Sequence, residues 1–132
     1  MNTTTENKIR EFTDIKAWQE GHRLVVDIYR LSKSFPREAI FGLTSQMQRA
    51  AVSITSNIAE GFGRHGYREK VQFYYMAHGS LTEIKNQIFI ARDIGYLTND
   101  DAGPLISQLV RTHCLLRGLI SKTQELLRNE NS

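Results

Sequence analysis

Residues 61–66 read GFGRHG, a letter-for-letter match to the G-x-G-x-x-G pattern that cradles phosphates in dinucleotide-binding folds. That pattern has its meaning only after a β-strand, at the start of a helix, and with an acidic residue about 20 positions further on. What precedes it here is LTSQMQRAAVSITSNIAE, residues 43–60, in which Met47, Ala50, Ala51, Ile54 and Ile58 recur at helical spacing. Glu83 stands at about the right distance, but inside another segment of helical period rather than at the end of a second strand. The lysine and hydroxyl of a Walker loop are missing as well. GFGRHG is therefore read as a helix stop and an inter-helix turn, with Gly61 at the C-cap, where a left-handed residue is common. The chain is read as all-α.

Working outward, three more segments have a helical period. From about residue 14 to 34, Asp14 is the expected N-cap and Phe35-Pro36 the end. Ile15, Trp18, Val25 and Tyr29 form one apolar seam there, and Ala17, Leu24, Ile28, Leu31 and Phe35 a second. Together they cover an arc of roughly 200°, about twice what burying one face requires, so this helix is expected to touch more than one neighbour. From about 67 to 94, Tyr74, Ala77, Leu81, Ile84, Ile88 and Ala91 alternate steps of three and four, a coiled-coil-like seam closed by Gly95. Tyr75, Met76, Phe89 and Ile90 lie off that seam and ask for contacts outside one bundle. From about 100 to 127, the polar cluster TNDD at 98–101 offers several caps, Pro104 falls in the first turn if Asp100 is the one, and Leu105, Leu109, Leu116, Ile120 and Leu127 carry the core face. The fold expected is an antiparallel four-helix bundle over residues 12–128, with a flexible N-terminal arm at 1–11 and a flexible tail at 129–132.

The 132 residues suffice for one domain with a real core, and 40% hydrophobic with 23% charged residues is ordinary for a globular chain. No apolar leader opens the sequence and no run of 18 apolar residues crosses a membrane, so a cytoplasmic protein without membrane contact is expected. Cys114 is the single cysteine, read as a small buried hydrophobe in a reducing compartment. The net charge of +3 and a pI near 9.2 lean mildly towards acidic partners.

Enzyme chemistry finds little support. None of His22, His65, His78 or His113 has a glutamate three positions earlier, so the di-iron bundle motif is absent, as is any His-x-x-x-His pair. His78 and His113 read as helix-packing or interface histidines. No metal, cofactor or catalytic residue is assigned. On the second helix Gln46, Arg49, Ser53, Asn57 and Glu60 form a polar ridge leading to Arg64. It is read as a structural layer, with Arg49 paired to Glu83 or Glu60, in preference to a ligand-binding ridge. Arg64, His65, Arg68 and Lys70 cluster at the turn with Phe62 and Tyr67 among them. Basic and aromatic residues together are the composition of a phosphate-and-stacking surface, and these four are the candidate nucleic-acid contacts. A solvated turn is the alternative.

The stretches DIKAWQEGHRLVVDIY, GLTSQMQRAAVSITSNIAEGFGR and GSLTEIKNQIFIARDIGYL resemble the bacterial four-helix bundle proteins encoded in 23S rRNA intervening sequences. Those proteins are similar in turn to the accessory protein of diversity-generating retroelements. The likeness covers about residues 12–125, and SNIAEGFGR at 56–64 is its most specific part. It implies a ring-shaped homopentamer with basic surfaces, a non-enzymatic association with RNA or DNA, and, for retroelement members, a reverse transcriptase partner. It also implies that Asn57, Glu60, Gly61 and Gly63 are structural signature positions, while Gly66 falls outside the pattern.

Overall fold

The computed structural model describes residues 8–131, and they are all-α, with four long helices and no strand among the described residues. They are α1 (Lys16–Ser32), α2 (Ser45–Phe62), α3 (Tyr67–Asp93) and α4 (Asn99–Asn131). Residues 63–66 join α2 to α3, and residues 94–98 join α3 to α4, connections short enough to make antiparallel neighbours. The longer α1–α2 connection holds a 3-10 turn, Arg37–Ala39, and a π-helical stretch, Ile40–Thr44, kinked at Gly42. Each helix packs on the next and α4 returns to α1, so the four stand at the corners of a square. The pairings run in opposite directions along the chain. Ser53 meets Ser80 while Gly61 meets Tyr74, and His113 meets His78 while Gln124 meets Tyr75.

Leu24 and Ile28 of α1, Ile54 and Ile58 of α2, Leu81, Ile84 and Ile88 of α3, and Leu109 and Leu116 of α4 fill the centre, all fully buried. Each such side chain contributes about 1.5–3 kcal/mol relative to leaving it in water. The α3 seam is buried from Tyr74 through Ala91, as its period predicts. On α1 the second seam is buried, apart from half-buried Leu31, whereas Trp18 and Val25 of the first are half-buried and Tyr29 is exposed. Tyr75, Met76 and Ile90 stand in solvent, and Phe41 at the α1–α2 corner is 97% exposed.

The helix ends differ from the expectations in instructive ways. Asp14 does not cap α1. Its carboxylate accepts the amides of Arg10 and Glu11, both at 3.0 Å, which lowers its pKa and braces the 3-10 turn Phe12–Asp14. Ile15 takes the cap position. At the start of α4, Thr98 is the cap among the TNDD candidates, its Oγ1 accepting the Asp101 amide at 3.1 Å. Pro104 then lies beyond the first turn, where it lacks the N–H that would bond back to the Asp100 carbonyl. α4 continues to Asn131, so residues 129–131 of the expected tail are helical. Residues 1–7 of the expected arm, and Ser132, lie outside the described residues.

Two further corrections concern single residues. Cys114 is exposed, because it is two positions from both Thr112 and Leu116 and so falls on the side of α4 away from that buried row. Gly61 does not stop α2. The only positive φ among the described residues belongs to Gly95 (87°), where Tyr96 and Gly95 amides donate to the Ala91 and Arg92 carbonyls in a Schellman arrangement that ends α3. Gly61 lies inside α2, which ends on Gly63 in ordinary right-handed conformation (φ −77°, ψ −8°). What Gly61 supplies is room. A Cβ there would come within 2.7 Å of Tyr74 Cε1 and 3.0 Å of Phe73 Cβ.

Candidate nucleic-acid interface

The close approach at Gly61 brings the start of α3 against the end of α2 and folds the basic turn back on itself. The last carbonyls of a helix lack intrahelical partners, and a cation is favourable beside them. Lys70 fills that role: Nζ donates to the Phe62 carbonyl at 2.6 Å and the Gly61 carbonyl at 3.4 Å, and lies 5.4 Å from the centre of the Phe62 ring. Partial burial lowers its pKa from the ordinary lysine value. Arg64 is held too, by Glu60 at 2.9 Å and Glu69 at 3.7 Å, with its guanidinium 4.6 Å from the centre of the Phe73 ring. Two of the four candidate cations are thus engaged in closing the turn.

His65 and Arg68 are exposed, and neither makes an ion pair among the described residues. They project from the same turn, next to half-buried Tyr67. Because α1 starts and α4 ends at this end of the bundle, Lys16 and Lys122 join them there, also without ion pairs among the described residues. The charge available to a phosphate at this end therefore rests on Arg68, Lys16 and Lys122, with Lys70 and Arg64 behind them and the exposed His65 ring beside Arg68.

The polar ridge on α2 divides in two. Ser53 and Asn57 are half-buried: Ser53 Oγ lies 2.8 Å from Ser80 Oγ, and Asn57 Nδ2 donates to the Ser53 carbonyl at 2.8 Å and to Ser53 Oγ at 3.0 Å. This is a polar layer between α2 and α3. Gln46 and Arg49 face solvent, and the expected Arg49 pair does not form. Glu60 lies about 16 Å along α2 from Arg49 and takes Arg64 instead, while Glu83 accepts a bond from Gln87 at 3.3 Å. Of the signature positions, Gly61 thus serves packing, Glu60 the turn, and Asn57 the polar layer. Gly63 donates its amide to the Ala59 and Glu60 carbonyls, both at 3.2 Å.

His78 and His113 join α3 to α4, Nε2 to Nε2 at 2.7 Å with the rings edge to face. Burial, His78, Arg117 and Lys85, in that order, lower the His113 pKa from its usual 6.5. Among the described residues no three His, Cys, Asp or Glu side chains gather as a metal site, and no helix is long and apolar enough to cross a membrane.

One feature at this end was not anticipated: an apolar pocket of about 420 Å³ between the start of α1, the α2–α3 turn and the last turns of α4. Tyr74, whose pKa burial pushes up to about 12, lines it. Its signal is present in the sequence. Leu115, Leu119 and Leu126 form a second apolar line on α4 beside the core row of Leu105, Leu109, Leu116 and Ile120.

Among curated proteins none matches this chain. Among solved structures, one that superposes well is a protein of unknown function from the S23 ribosomal protein family of Bacteroides thetaiotaomicron. It has a TM-score of 0.74 and 19% identity, over 80% of this chain and 95% of that one. At that identity the likeness speaks for the fold. The sequence itself carries the assignment further: residues 13–118, from the Asp14 turn through the His113 row of α4, match the 23S rRNA-intervening sequence protein pattern. The chain belongs to the 23S rRNA-intervening sequence protein family.

Proposed function

We propose that this chain is a non-enzymatic bundle protein that assembles as a ring-shaped homopentamer in the cytoplasm and binds structured nucleic acid, RNA or DNA, through phosphate contacts. The observation that carries this reading is the group of basic side chains without carboxylate partners at one end of the bundle, Arg68 foremost with His65 next to it in the turn, and Lys16 and Lys122 beside them. Arg64 and Lys70 contribute field and hold the turn rigid. One chain at +3 is a weak polyelectrolyte ligand, whereas five copies give a ring of about +15, enough to hold a phosphate backbone. The exposed Tyr29, Tyr75, Met76 and Ile90 supply apolar surface for the subunit contacts. The family's link to an intervening sequence in 23S rRNA makes a structured RNA the first ligand to try.

The test is fluorescence anisotropy of a labelled RNA hairpin across a salt series. Affinity is expected to fall steeply with salt, with a slope that counts phosphate contacts. Arg68→Ala is expected to weaken binding to all sequences alike and to reduce that slope by about one per subunit in contact. No binding at low salt would defeat the reading. It would favour a second one, a scaffold that docks a protein such as a reverse transcriptase without touching nucleic acid. Phe41, 97% exposed at the opposite end, is the observation on that side. A docked protein partner would stay bound at high salt.

A further inference from the structure

The apolar pocket beside the turn has a composition that phosphate binding does not use. Leu115, Leu119 and Leu126 of α4 form one wall, and the lining includes no carboxylate, while Lys16, Lys70 and Lys122 contribute to it. Its volume of about 420 Å³ lies in the range of small-molecule sites, which are apolar with a few convergent polar groups. Lys70 has its Nζ committed to the Phe62 and Gly61 carbonyls. Lys16 of α1 and Lys122 of α4 line the same pocket and have no such partner among the described residues. The Thr123 hydroxyl is spent on the Leu119 carbonyl at 2.7 Å. The result is a greasy interior with positive charge and no acid to balance it.

We propose that this pocket binds an anionic amphiphile, with an unbranched acyl chain along the α4 leucines and a carboxylate headgroup between Lys16 and Lys122. The lining chemistry decides among occupants. A nucleobase stacked on Phe62, Tyr67 or Tyr74 would still turn its N–H and C=O edges towards the leucine wall and lose hydrogen bonds to water there. An acyl chain loses nothing polar on entry, and its headgroup meets the two lysines in partial solvent.

The probe is dodecanoate below its micelle-forming concentration, titrated calorimetrically into the full chain, with dodecanol and dodecylammonium as headgroup controls. Saturable binding at one site per chain is expected, weaker for dodecanol and absent for dodecylammonium. Lys16→Glu and Lys122→Glu are each expected to weaken dodecanoate at least 2- to 5-fold, the scale of an exposed ion pair. Leu119→Trp is expected to weaken binding by narrowing the pocket at its α4 wall. The surface lysine variants keep the test decisive should the tryptophan variant fail to fold. Equal binding of dodecanol with no effect of the lysine changes would overturn the anionic assignment. So would no dodecanoate binding, whether a bulged RNA hairpin enters the site instead or Leu119→Trp alters the oligomeric state, which would make the pocket a base site or a subunit contact. None of these outcomes depends on whether RNA binds Arg68.

Discussion

Substituting alanine for glycine inside a helix ordinarily stabilises a protein by about 0.5–1 kcal/mol, since alanine has less backbone entropy to lose. Gly61→Ala should do the reverse. The new methyl would sit 2.7 Å from Tyr74 Cε1 and 3.0 Å from both Tyr74 Cδ1 and Phe73 Cβ. Tyr74 is 2% exposed, and Phe73 Cβ moves only with the α3 backbone. Forcing an extra carbon into such a contact costs about 1–3 kcal/mol, which outweighs the helix gain and leaves a net loss of up to about 2 kcal/mol. Gly79, also within a helix, provides the control, because nothing lies within 4 Å of a Cβ built there. Gly79→Ala should gain about 0.5–1 kcal/mol. Urea unfolding followed by far-UV circular dichroism at one fixed protein concentration measures both. The midpoints should move in opposite directions at unchanged slope. A Gly61→Ala variant as stable as Gly79→Ala would refute the view that the α2–α3 approach makes this position glycine.

Three further outcomes are expected. The lowered His113 pKa means that the unfolded chain takes up a proton before the folded one does. Stability is therefore full above about pH 6.5 and declines as pH falls through the lowered folded-state value; His113→Gln should flatten that part of a pH–stability profile, and an unchanged profile would argue against a lowered His113 pKa in the folded chain. Lys70→Met should lower stability by about 1 kcal/mol in the same urea assay, through loss of its bonds to the Phe62 and Gly61 carbonyls. Arg68→Met, with no partner to lose, should stay within about 0.5 kcal/mol of the parent. Cys114 should react fully with a thiol reagent in native buffer, and labelling only after denaturant would show that another surface covers it.

Much of the architecture was legible because helix periodicity is a local property. The three-and-four spacing from Tyr74 to Ala91 names the buried face of α3 without reference to any other helix, and every residue of that seam is buried. The same locality made Gly95 readable as a stop. Gly61 looked identical in sequence, a glycine after a helical run, yet it is there for Tyr74, a residue on a different helix; only the packed pair distinguishes room from a left-handed turn. The basic cluster illustrates the same divide. Its composition could be read from seven consecutive positions, but which cations stay available depends on where the α2 carbonyls, Glu60 and Glu69 end up, and that takes Lys70 and Arg64 while leaving His65 and Arg68. The pocket needed four helices, since Lys16 and Lys122 lie more than a hundred residues apart until α1 and α4 close the square. What the chain determined alone is what neighbours three and four positions apart decide; partners chosen across helices, and hence the free charge and the empty volume, belong to the tertiary structure.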